Sequence, residues 1–488
     1  PGFVQPEVRS SRAGMLDTDL RAKFAVNQLG PQTVNTRTYG GNLVGPTLRV
    51  KPGDTLRINV INDLPPNPDE HTVYPDLNTP HHFNGTNLHT HGLHVSPSGQ
   101  SDNIFVDIPP GGNFQYEYKI PANHVAGTFW YHPHRHGSSS MQLFGGMTGA
   151  LIIEGELDNL PQLQRARDLV YLIGEVNIIA ATGMVPDYIP NVPPMGTYPI
   201  PQRAFMVNGQ NQPTLVAQPG EVIRLRLING TVRATVPFAI DGHQLNVVAL
   251  DGITLGGLRT TSTEILAPSN RADVLIRAGA PGIYTIRKLD SNAVVGAAAG
   301  GGPDPEVILG YLEVTGPPVQ MDMPSILTPP LRNIPSSEVT FERTVTFSQP
   351  GGPTMNLGPP GPVGSVTSNY AGFEVNGKRF DPNRIDHNVP LNAVEQWTLE
   401  NTSAGSHPFH IHVNPFLVVA VNGIPLPEPE WRDTINVPRG TPASPGVAAR
   451  PGTVTIRHRF EDFVGLYVLH CHILLHEDVG MMQTVNVF

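Results

Sequence analysis

The sequence contains a single cysteine, Cys471, so no disulfide can form within the chain, and cysteine usage does not decide the compartment. Charge is also sparse. Only 15% of residues are Asp, Glu, Lys or Arg, and 31 basic side chains stand against 41 acidic ones. The formal charge of −10 and the lack of any basic tract argue against a nucleic-acid partner. No long unbroken apolar run occurs, which excludes a membrane-spanning helix. The chain opens Pro1-Gly2-Phe3-Val4, with no basic stretch leading into an apolar one. The expectation is that any export signal has been removed or was never present.

Turn formers are plentiful, with 50 Gly and 51 Pro in 488 residues. Short apolar runs between them favour an all-β chain, and the length calls for about three domains. Three segments repeat one pattern. Residues 45–64, 212–231 and, more loosely, 373–403 each read as a strand, a tight turn and a second strand, as in a half-buried hairpin. The run Pro408–Gly423 also aligns without a gap on Pro237–Gly252, placing His410 over Ala239 and His412 over Asp241. The middle copy thus keeps the backbone pattern and lacks the histidines. Sites built between the outer copies are expected. Boundaries are expected near 155–165 and 316–335, giving domains 1–158, 159–325 and 326–488. Long loops are expected over 61–84, 181–202, 293–305, 349–366 and 424–452.

Ten of the 19 histidines fall in four clusters: His89-Thr90-His91, His132-Pro133-His134, His407-Pro408-Phe409-His410-Ile411-His412, and His470-Cys471-His472 with His476. On a strand, side chains two apart share a face, so each His-x-His aims two imidazoles the same way. Imidazole-rich sites suit Cu, Zn, Ni or Fe and exclude Mg and Ca. The fourth cluster selects copper. Cys471 points away from its two flanking histidines, and with His407, His476 and the thioether of Met481 it makes the ligand set of a blue-copper centre. A structural zinc site closes with four ligands and does not account for so many.

The motifs HTHG, YHPH, HPFHIH and HCHILLHEDVGMM resemble the four copper-binding signatures of the multicopper oxidases, most of all the bacterial three-domain laccase-like members. The resemblance spans nearly the whole chain and implies three cupredoxin-like Greek-key β-barrel or sandwich domains. It implies four coppers. A type 1 copper would take His407, Cys471 and His476 with Met481 axial, and a type 2 copper His89 and His410. One type 3 copper would take His91, His132 and His472, and the other His134, His412 and His470. It also places proton-relay carboxylates at Glu477 and Asp102. His94 and His136 have no place in the family's set, and His81, His82, His124, His243, His387 and His458 read as structural.

The implied reaction is a laccase-type one: one-electron oxidation of phenols or aryl amines coupled to four-electron reduction of dioxygen to water. An axial Met implies a low-to-intermediate potential. The expected enzyme is an exported monomer, periplasmic or extracellular. A metal-ion oxidase acting on Cu(I), Fe(II) or Mn(II) keeps the same fold, although the eleven Met are scattered and Met321-Asp322-Met323 is the only local hint. A copper nitrite reductase does not need eight clustered histidines, and a non-catalytic relative would have lost its ligands.

Overall fold

The structure, a computed structural model, describes residues 1–74, 76–178, 202–295, 304–350, 372–441 and 448–488. Strands dominate, and the longest α-helix among the described residues is Ser139–Phe144. No described helix is long and apolar enough to cross a membrane.

Six sheets form three pairs, and each pair encloses an apolar cluster. The strands of the first pair run from Val8 to Ile153, of the second from Arg167 to Val314, and of the third from Phe341 to Val487. In the first pair, a four-stranded sheet faces a five-stranded one that ends in Gly149–Ile153, Gly127–His132 and His89–His91. In the third, a six-stranded sheet faces the order His387–Val389, Met482–Val487, Gly465–Cys471, His407–Ile411 and Thr434–Val437. The ligand-bearing strands of both outer pairs lie in these five-stranded sheets. A further apolar cluster joins the first two pairs and takes in Leu474 from the third.

The gapless alignment of 408–423 on 237–252 is visible in three dimensions. Strands Val236–Ile240 and Leu245–Leu250 correspond to His407–Ile411 and Phe416–Val421. Each second strand carries a bulge at the same place, between Val247 and Ala249 and between Val418 and Ala420. The middle pair is thus the same unit without the imidazoles.

Two expectations need correction. The three repeated segments are not hairpins. Strand Thr47–Val50 pairs in parallel with Val8–Ser10 and Gly149–Ile153, whereas Thr55–Asn62 pairs with Met15–Leu29 and Asn113–Lys119 in the opposite sheet. Thr214–Ala217 and Val222–Asn229 are split the same way, as are His387–Val389 and Val394–Asn401. The turn carries the chain across the sandwich. Alternating burial reports only that one face of each strand meets the core, so it cannot tell a sheet neighbour from a strand across the core. The second correction concerns 424–452. It contains strands Ile424–Arg432 and Thr434–Val437. The prolines of the first strand are tolerated because it is an edge strand, paired on one side only. Of the other expected loops, most of 181–202, 296–303 and all but the first two residues of 349–366 lie outside the described residues.

Candidate metal centres

Strand Gly465–Cys471 runs antiparallel to His407–Ile411, with Phe409 opposite Cys471 and His410 opposite His470. This register brings the third and fourth histidine clusters together. The short helix Leu474–Asp478 then returns His476 to the sulfur side. Cys471 Sγ lies 3.4 Å from His407 Nδ1 and 3.6 Å from His476 Nδ1, and the two nitrogens are 3.3 Å apart. All three side chains are buried. Met481, fully buried in the same apolar cluster, closes the loop: its N–H donates to His476 O (2.8 Å), and its carbonyl accepts from Cys471 N (3.1 Å). Phe373 stacks on His476, and Ser403 Oγ lies 2.8 Å from His407 Nε2.

The other eight cluster histidines meet between the outer sheet pairs. Strand His89–His91 pairs with Gly127–His132 so that His89 stands opposite His132. The ring nitrogens gather in three groups, each within 4.8 Å: His91, His132 and His472; His134, His412 and His470; and His89, His91 and His410. In the second group His134 Nε2 lies 3.1 Å from His470 Nε2 and 3.2 Å from His412 Nε2. Lone pairs so placed repel unless a cation lies among them, and the spacing suits metal–imidazole bonds of about 2.0–2.1 Å.

Electrostatics favour a metal here as well. Burial, reinforced by neighbouring imidazoles, holds His89, His91, His132, His412, His470 and His472 well below the ordinary histidine range. Burial brings His134, His407 and His410 down to about 3. The rings are therefore neutral donors. Nε2 of His89, His132 and His410, Nδ1 of His91 and both nitrogens of His472 are buried without a hydrogen-bond partner among the described residues. Leaving so many buried polar atoms unsatisfied is costly, and a coordinated metal removes that cost. Burial pushes the Cys471 thiol up, and a coordinating metal would deprotonate it outright. The residues present fit copper.

Family models described as multicopper oxidase match residues 78–158, 179–300 and 356–488, more than half of the chain. The chain belongs to the multicopper oxidase family. It is 28% identical to a multicopper oxidase of Staphylococcus haemolyticus over 99% of this chain and 92% of that protein. It is 25% identical to a laccase of Bacillus subtilis over 92% and 89% of the respective lengths. Among solved structures, the Campylobacter jejuni multicopper oxidase, described as a metallo-oxidase, aligns at TM-score 0.76 and 25% identity, covering 99% of this chain and 96% of that one.

In this multicopper oxidase the carboxylates expected to relay protons lie directly behind ligand rings. Asp102 is 2.9 Å from His89 Nδ1 and accepts from Thr90 N and Oγ1; burial raises it to about 7. Glu477 is 3.3 Å from His134 Nδ1 and 3.2 Å from His470 Nδ1, and burial followed by Asp478 holds it well above the carboxylate range. His94 and His136 enter no metal group among the described residues. His94 bonds Val413 O and Asp462, and His136 bonds Asn78. His81, His82, His124 and His243 each bond a backbone carbonyl, and His387 bonds Gln483. His458 packs edge-on against Trp397.

Sequence reading missed Asp433, Thr434, Ser403 and Asp478. Asp478 accepts from Gly137 N and from Ser140 N and Oγ, tying the His476 helix to the segment after His134. Its place beside Glu477 was the one signal available. Asp433 and Ser403 carry no local pattern.

Proposed function

We propose that this copper oxidoreductase is laccase-like, taking electrons from small phenols or aryl amines and passing them to dioxygen. What carries the reading is the division of labour along Gly465–Cys471 and its continuation, with sulfur on one side and two imidazoles on the other. We assign a type 1 copper to His407, Cys471 and His476 together with Met481, and a type 2 copper to His89 and His410. Two type 3 coppers fall to His91, His132, His472 and to His134, His412, His470, giving four per chain. When bound, copper supplies one-electron transfer at the thiolate and reduction of dioxygen at the histidine cluster.

The protein supplies the rest. Cys471 is bonded through the backbone to His470 and His472, so the two sites share a covalent path. Asp102 holds the far nitrogen of His89, Glu477 lies 3.3 and 3.2 Å from those of His134 and His470, and both carboxyl groups lie where protons must be delivered. The domains 1–158, 159–325 and 326–488, a monomer and an exported location complete the proposal.

One observation favours a second reading, oxidation of a metal ion: the Campylobacter jejuni relative is described as a metallo-oxidase. Against it, Met321 and Met323 pack on an apolar cluster of the middle pair, with Met321 Sδ accepting the Val222 N–H. Steady-state rates with a phenol and with Cu(I) separate the two, the phenol being the better substrate under our reading. Metal analysis should return about four coppers per chain with an intense blue band from thiolate charge transfer. Cys471→Ser should lose the band and the oxidase turnover together. Oxygen uptake with a phenol at the parent's rate in that variant would end the proposal.

A further inference from the structure

The middle sheet pair supplies none of the candidate ligands, yet one of its side chains touches both outer pairs at the cluster. Arg271 is 0% exposed. Its Nε donates to Thr128 O in the first pair (3.2 Å). Its Nη1 and Nη2 donate to the two carboxylate oxygens of Asp433 in the third (2.8 and 2.5 Å). Asp433 Oδ1 lies 3.2 Å from His91 Nε2, and Asp433 O lies 2.8 Å from His410 Nδ1. Thr434 Oγ1 sits between the same two rings, 3.3 Å from His91 Nε2 and 3.2 Å from His410 Nδ1. The rings are stacked, with centroids 3.8 Å apart.

The rest of the middle pair's contact locks this dipeptide. Ser269 Oγ donates to Thr434 Oγ1 (3.0 Å), and Asn270 Nδ2 donates to Thr434 O (2.9 Å). Asp251 accepts the backbone N–H groups of Arg271, Asp433 and Thr434. Gly92, which follows His91 at φ +87°, fits against this arrangement because it lacks a side chain: a Cβ there would collide with Asp433 and Arg271. The glycine of HTHG is thus explained by an ion pair between the other two domains.

We propose that Arg271 is a positioning residue for the copper cluster, setting through Asp433 and Thr434 the ring orientation of one ligand from the first domain and one from the third. A metal-binding imidazole is oriented by whatever holds its other nitrogen. Here His91 Nε2 and His410 Nδ1 are held by one dipeptide, which leaves His91 Nδ1 and His410 Nε2, both without a hydrogen-bond partner among the described residues, for the metal. A planar guanidinium fixes a carboxylate in two dimensions, which a lysine ammonium cannot do. The inference rests on the copper assignment above.

The test uses the copper-loaded enzyme and three variants: Arg271→Lys, Thr434→Val and, as a control, Arg226→Lys. Arg226 is a buried middle-pair arginine that also reaches Thr128, through the hydroxyl, but touches no ligand. Arg271→Lys should lower kcat or type 2 copper retention by about tenfold or more and change the type 2 electron paramagnetic resonance spectrum. The blue absorbance per chain and the KM for the reductant should stay at the parent's values. Thr434→Val should change the type 2 spectrum in the same direction. Arg226→Lys should lower the melting temperature without moving that spectrum. A parental spectrum and turnover in Arg271→Lys overturns the proposal. If that variant does not fold, a parental spectrum in Thr434→Val overturns it. So does a control that shifts the spectrum as far as Arg271→Lys. A parent without any type 2 signal would instead refute the copper assignment.

Discussion

Glu477 stands behind two candidate ligand rings at once, facing His134 Nδ1 and His470 Nδ1, with Ser139 Oγ donating to its Oε1 at 3.3 Å. With the charge of bound copper beside it the carboxyl can ionise and accept from both rings. A glutamine of the same shape offers one acceptor and one donor, so one ring nitrogen must face an N–H. Glu477→Gln should therefore slow oxygen reduction by about tenfold or more while the blue absorbance, which arises on the other side of the strand, stays near the parent's. Turnover unchanged across the pH range would remove Glu477 from both proton delivery and ligand support. The same contrast governs what could be read from sequence at this scale. The candidate ligands sit in short motifs whose spacing has a direct meaning on a strand, so they were legible. Arg271 and Asp433 are 162 residues apart and become partners only when the second and third domains meet. Nothing local marks either one.

Among the elements, strand Gly127–His132 illustrates how tightly the histidine-bearing strands are held. It leads into His132 and His134, and its first residue abuts the middle pair. A Cβ on Gly127 would run into the backbone carbonyl of Gly252, and one on Gly252 would strike the Phe129 ring. Gly127→Ala must therefore move backbone against backbone, at a cost of about 1–3 kcal/mol. The melting temperature should fall, and Gly256→Ala, where nothing lies within 4 Å, should be neutral. An unchanged melting temperature in Gly127→Ala would show that the junction yields freely. Element existence was legible here because alternation and turn residues are local. Partnership was not: the repeated strand–turn–strand segment looked like a hairpin and is a crossing between sheets. The edge strand Ile424–Arg432 was hidden by its prolines, which are compatible with a strand only at an edge.

For the whole molecule, the middle pair works as a keystone, and charge does much of the joining. Arg226 and Arg224 on its strand Val222–Asn229 meet Asp158, Asp168 and Asp273. Asp168 also accepts from Arg49 of the first pair (2.9 Å), and Asp273 accepts from Thr128 Oγ1 (2.6 Å). Burial alone would raise Asp158 and Asp168, but Arg226 and the other nearby guanidinium groups outweigh it and hold both below the usual carboxylate range. The sign follows from linkage. A carboxylate whose folded pKa is depressed stabilises the fold fully above its unfolded pKa of about 3.9, and that contribution is lost as pH falls towards the folded value. In this window the unfolded chain takes up a proton that the folded one refuses, so stability falls by up to about 1.4 kcal/mol per pH unit per group. Asp168→Asn cannot show this dependence. Its melting temperature should lie below the parent's at neutral pH, because Arg226 and Arg49 lose a half-buried partner, and the gap should narrow as pH drops from about 5 to about 3. Melting curves that stay parallel over that range would mean the junction does not depend on the ionised Asp168, and the keystone would have to be held by packing instead.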